Sequence, residues 1–158
     1  MAKAKEKHLF TEDTEVSPAR SAAEITALLI QAGAQSISTN FKDNEIESLS
    51  FVLPRGAGSI PYRLPVRIDP VFAVFQARRK KGNPYGYKTP QCQNADRDKA
   101  KRVAWRQMYW WLKAQLAVID LGMVETAEVL LPYMLGRDGN TFYDTHKAKL
   151  LAAPVETE

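Results

Sequence analysis

Between Ser36 and Ile68 the chain carries three short segments in which apolar and polar residues alternate, and this period-two pattern limits its fold more than any other feature. Ile37, Thr39 and Phe41 alternate with Ser36, Ser38 and Asn40. Leu49, Phe51 and Leu53 alternate with Ser48, Ser50 and Val52. In the third segment, residues 60–68, Tyr62, Leu64, Val66 and Ile68 share one face and Arg63 and Arg67 the other. Asp43-Asn44 and Gly56-Ala57-Gly58 supply the turns between segments. Pro61 and Pro65 cannot donate ladder hydrogen bonds, so the third strand is expected at an edge. The pattern predicts an antiparallel meander with its second strand central. Its outer face would show Ser36, Ser38, Asn40, Ser48, Ser50, Arg63 and Arg67.

Helical periods flank this region. Ser17-Pro18 or Ser21 is expected to open a first helix, with Ser21 and Glu24 at capping-box spacing. Ile25, Leu28 and Leu29 share its apolar face, and Gly33 ends it. Asp69-Pro70 opens a second, apolar helix that closes on Arg78, Arg79, Lys80 and Lys81. Asn94 or Asp96 is expected to cap the longest helix, running to about Leu121 with Gly122 after it. From Met108 onward that helix is apolar nearly all round, which predicts burial on several sides, against the sheet or a subunit partner. A last helix is expected over about 124–135, then a turn at 136–140, a small segment at 141–143 and a final helical turn. Residues 1–16 and 152–158 lack a clear period and are expected to be flexible tails around one domain over 17–151. The fold class expected is α+β: a helix, a three-stranded antiparallel meander, then two to three helices with one long helix packed on the sheet.

Charge is concentrated. The chain's net charge is +4, yet residues 78–106 hold ten basic side chains against Asp96 and Asp98, a net of +8. The remainder is therefore net −4. Cations at Arg78–Lys81 are accounted for by a helix C-terminus. Lys99, Arg102, Arg106 and Lys113 instead follow one stripe of the long helix, with Lys101 beside it, and all but Lys113 lie in its first turns, where cations oppose the dipole. A bound anion would offset that cost. Tyr85, Tyr87, Trp105 and Tyr109 lie near the stripe; rings of this kind hold single strands by base stacking. Trp105 and Tyr109 are also spaced as core residues with Leu112 and Leu116. The resulting candidate nucleic-acid contacts are Lys99, Lys101, Arg102 and Arg106, with Arg78, Arg79, Lys80, Lys81, Lys88, Tyr85 and Tyr87 adding to them.

Other chemistries find little footing. His8 and His146 are the only histidines and Cys92 the only cysteine, so no His/Cys ligand spacing exists. Asp96-Arg97-Asp98 reads as a helix start rather than a metal pair. There is no GxSxG, no Walker-type loop and no Cys/His pair in one segment. No catalytic residue, metal or cofactor is expected. No apolar run is long enough to span a membrane. A lone thiol makes a cytoplasmic setting the default.

Two resemblances add expectations. The order helix–strand–strand–strand–helix, with Asp98-Lys99-Ala100-Lys101-Arg102 at a basic helix start, is similar to the double-stranded RNA-binding domain. The extra helix and loop over 69–95 and the long continuation depart from that family. The run Glu24-Ile25, Leu28-Leu29, Gly33-Ala34, Leu49-Ser50-Phe51, Ile60-Pro61-Tyr62-Arg63-Leu64-Pro65, Arg102-Val103-Ala104-Trp105-Arg106 and Leu131-Pro132-Tyr133 resembles a family of uncharacterised small proteins of phages and prophages. That resemblance implies a mobile-element role in replication, recombination or counter-defence. The expected function is a non-catalytic nucleic-acid-binding accessory protein. The alternative is a module that binds a host or phage protein, or its own copy, through the sheet face or long helix.

Overall fold

The computed structural model describes residues 8–82 and 89–152. The elements run α1 (Pro18–Gln31), β1 (Ser36–Lys42), β2 (Glu45–Arg55), β3 (Gly58–Arg63), α2 (Asp69–Gly82), α3 (Pro90–Asp120), α4 (Thr126–Leu130), a 3₁₀ turn (Leu131–Tyr133) and α5 (Phe142–Ala152). This is the expected α+β order, with an antiparallel sheet β1-β2-β3 and one long helix. Two compact units emerge. One draws on residues up to Ile25 and on Val66–Leu112; the other draws on Thr26–Pro65 and on residues from Lys113.

In the first unit, Ser17 caps α1: its Oγ accepts the Arg20 N–H at 3.2 Å, and Pro18 takes the first helical position. The capping box expected at Ser21 and Glu24 is therefore not formed. Ser21 lies fully buried inside the helix, and Glu24 is left to pair elsewhere. Phe75 of α2 packs with Ala100 and Val103 of α3, and Leu9, Ile68, Val71 and Phe72 close over them. Residues 8–16, expected to be part of a tail, instead hold a turn. Leu9 joins this core, the Thr11 hydroxyl meets the Val103 carbonyl at 3.4 Å, and Gln107 donates to the Phe10 carbonyl at 2.9 Å. Of the C-terminal tail expected over 152–158, Ala152 instead closes α5, and the rest lies outside the described residues.

In the second unit, Leu49, Phe51 and Leu53 put their side chains into the core from the central strand, and the Phe51 and Tyr62 rings stack at 5.6 Å. Asp43 and Asn44 turn the first hairpin with φ of 50° and 62°. Two left-handed residues in succession match the twist of the flanking strands. Pro61 does sit on an edge strand. β3, however, ends at Arg63 rather than continuing to residue 68. Leu64 still donates to Leu49 at 3.0 Å, but Pro65 has no N–H to extend the ladder, so Arg67 is not part of the sheet face. The Pro61 carbonyl instead accepts the Leu135 N–H at 2.9 Å, and Tyr62 bridges Met134. A capping box at Glu125 and Glu128 starts the short α4. Thr141 and Asp144 cap each other at the start of α5, which makes a full helix where only a turn was expected. Among the described residues no helix is long and apolar enough to cross a membrane.

Candidate nucleic-acid interface

The basic residues of interest lie on α2 and α3 of the first unit. α2 carries Arg79, Lys80 and Lys81 in its last turn, where cations complement the negative helix end. α3 begins at Pro90, whose fixed φ suits a first helical position, several residues ahead of the expected caps Asn94 and Asp96. This revises the electrostatics of the stripe. Lys99, Lys101, Arg102 and Arg106 lie well past the first turn, beyond the reach of the dipole. The cost that an anion was expected to offset is absent.

Asp96 has a different task. It is only 7% exposed and accepts two hydrogen bonds from Arg79, Nε to Oδ2 and Nη2 to Oδ1, both at 2.7 Å. This fork is the strongest geometry open to an arginine and a carboxylate. Hydrogen bonding to Asp96, then its charge, pushes the Arg79 pKa up. The pair joins the C-terminal end of α2 to α3.

Glu12 makes the second junction. The residue as a whole is 8% exposed. It accepts the Leu9 N–H at 2.8 Å and a hydrogen bond from Arg78, and Lys99 Nζ lies 3.7 Å from the same oxygen that Arg78 binds. Burial pushes its pKa up, but the Leu9 N–H and Arg78 outweigh that and hold it below the usual carboxylate value. Glu24 makes the third: Arg106 hydrogen-bonds it from α3, and Arg20 approaches at 3.2 Å. The Arg106 hydrogen bond is the main reason that the Glu24 pKa lies below its ordinary value.

Aromatic faces take up part of the same charge. Arg106 lies 4.2 Å from the centroid of Tyr109, Lys99 lies 4.9 Å from Phe75, and Arg97 lies 4.4 Å from Phe72.

The eleven predicted contact residues thus divide. Arg78, Arg79, Lys99 and Arg106 are held in ion pairs within the protein. Lys101 lies 3.6 Å from Asp98, one turn earlier on α3. Arg102 is half-buried, and its Nε has no hydrogen-bond partner among the described residues. Lys80 and Lys81 are exposed. Tyr85, Tyr87 and Lys88 lie outside the described residues. Trp105 is fully buried and so unavailable for stacking, as its core spacing implied.

The residues missed from sequence are the acids Glu12, Glu24 and Asp69, the last 3.6 Å from Arg97. A signal did exist, in the net −4 of the chain outside the basic segment. Among the described residues no three His, Cys, Asp or Glu side chains gather as a metal site would require. No protein-family model, curated protein or solved structure matches this chain.

Proposed function

We propose that this protein binds nucleic acid without acting on it chemically, as an accessory factor of a phage or prophage. The observation that supports the binding is the convergence of Arg78 and Lys99 on one oxygen of Glu12. It brings the two halves of the basic segment, separate in sequence, to one place. Phosphate contact falls to Lys80, Lys81, Lys101 and Arg102, joined by the exposed Arg97. Arg78, Arg79 and Arg106 position the helices that carry them. The mobile-element role, in replication, recombination or counter-defence, rests on the sequence resemblance alone.

Gel shifts on single- and double-stranded DNA and RNA at two salt concentrations test the binding. Five phosphate contacts on duplex DNA predict a loss of affinity of about five-hundredfold between roughly 50 and 200 mM salt. Absence of binding to any of the four nucleic acids at low salt ends the proposal.

A further inference from the structure

In the second unit the core-facing row of β2 runs Phe51, Leu53, Arg55, so a cation stands where the alternation calls for an apolar side chain. Its cross-strand partner is Gly58, which has no side chain to cover it. A cleft of about 410 Å³ opens there, within the size range of small-ligand sites. Arg55 and Tyr62 line it from the sheet, Ile119 from the end of α3, and Val124, Glu125 and Ala127 from the segment that starts α4. Tyr62 is only 2% exposed. Its ring stacks on Phe51 and its backbone lies between Phe51 and Met134, so the phenol is fixed in place. A buried phenol ordinarily finds a hydrogen-bond partner, yet no group among the described residues bonds this hydroxyl. Nor is the hydroxyl sealed off; it opens to the cleft that its residue lines. Arg55 likewise has no acid at ion-pair distance among the described residues. Burial pushes the Tyr62 pKa up and the Arg55 charge offsets part of that, so the two groups act on one space.

We infer that this cleft binds a small organic monoanion, an apolar body that carries one carboxylate. The Arg55 guanidinium donates to the carboxylate, and the Tyr62 hydroxyl donates to it as well. The apolar body lies against Ile119 and Val124. Such a ligand gives both unpartnered donors an acceptor at once. Glu125 sets the charge that the site accepts. It is exposed at the cleft, and its own N–H is held by Glu128 at 3.2 Å, which fixes its place. One anion beside one cation leaves room for a single negative charge on the ligand. A second charge, as on a phosphomonoester, meets Glu125 and is repelled. The cleft uses none of the residues assigned to nucleic acid, so the two sites stand or fall separately.

Titration of the full chain with naphthoate, read by amide chemical shifts, tests the site. Saturable binding with a Kd below about 1 mM is expected, with the largest shifts at Arg55 and over 124–127. Naphthamide and naphthyl phosphate keep the apolar body and change the charge. Each is expected to bind at least tenfold more weakly than naphthoate. Arg55→Gln is expected to weaken naphthoate at least tenfold. Tyr62→Phe removes only the hydroxyl and is expected to weaken it about fivefold. Glu125→Gln is expected to narrow the gap between naphthoate and naphthyl phosphate. Arg55 and Glu125 are exposed, and circular dichroism verifies that each variant keeps its fold. Lys80→Ala with Lys81→Ala is expected to leave the naphthoate Kd unchanged. Absence of saturable naphthoate binding overturns the inference. So does binding that Arg55→Gln leaves intact, or naphthamide that binds as tightly as naphthoate.

Discussion

Arg78 and Glu12 stand sixty-six positions apart in sequence, and the guanidinium of one hydrogen-bonds the buried carboxylate of the other. That contact holds residues 8–16 against the end of α2. Lys99 of α3 approaches the same oxygen, so three segments meet at one acid.

Glu12→Gln should therefore destabilise the protein. It would leave two cations around a neutral amide, and losing one partner of a charged hydrogen bond typically costs about 1–3 kcal/mol. Urea denaturation followed by circular dichroism measures the difference. The same change removes a negative charge from the basic region, so affinity for DNA at low salt should rise rather than fall.

Stability should fall in acid in a defined way. The Glu12 and Glu24 carboxyls both titrate below their ordinary value of 4.5 in the folded protein. A depressed folded pKa means that the unfolded chain binds the proton more readily. The contribution is thus fully present above about pH 4.5 and is lost as pH falls through the lower folded values. Melting temperatures between neutral pH and pH 3 should drop more for the wild type than for a Glu12→Gln, Glu24→Gln double variant.

The Arg79–Asp96 fork separates geometry from charge. Arg79→Lys keeps the cation but cannot make two parallel hydrogen bonds. It should lower the denaturation midpoint nearly as much as Arg79→Ala. Equal midpoints for Arg79→Lys and the wild type would show that charge alone suffices.

Phosphate contact predicts a salt signature. Replacing Lys80 and Lys81 by alanine should reduce the slope of log affinity against log salt by about two on duplex DNA. The unfolding midpoint should fall only slightly, because both side chains are exposed and their attraction to the helix end is screened by solvent. Salt titrations of fluorescence anisotropy read the slope.

The hairpin at Asp43-Asn44 offers an independent check of the backbone. Asn44 adopts φ of 62°, which glycine reaches without steric cost. Asn44→Gly should raise stability by a few tenths of a kcal/mol, and Asn44→Val should lower it by about 1 kcal/mol or more. Thermal melts distinguish the two.

Several features were legible in the chain because their causes are local. The alternation from Ser36 to Leu53 determines β1 and β2, and Asp43-Asn44 the turn that joins them. Pro61 determines that β3 is an edge, because a missing N–H cannot be supplied from elsewhere. Gly33 and Gly122, with φ of 86° and 69°, close α1 and α3 where sequence placed their ends. The helix starts were less secure, since several residues near each one can cap. Ser17 prevailed over Ser21, and Pro90 over Asn94 and Asp96.

The partners of the charged groups were decided only by the tertiary structure. Asp96 has a good capping residue's chemistry, but α2 brings Arg79 against it, and the bidentate pair takes both its oxygens. Glu24 stands at capping-box distance from Ser21, yet α3 brings Arg106 to it across eighty-two positions. Periodicity reports which face of an element is apolar. It does not report which distant charge that face will meet, because Coulomb attraction acts through space and the fold sets the distances. By sequence alone the basic segment was an excess of +8. Folding holds four of its cations in pairs with Glu12, Glu24 and Asp96 and leaves Lys80 and Lys81 at the surface.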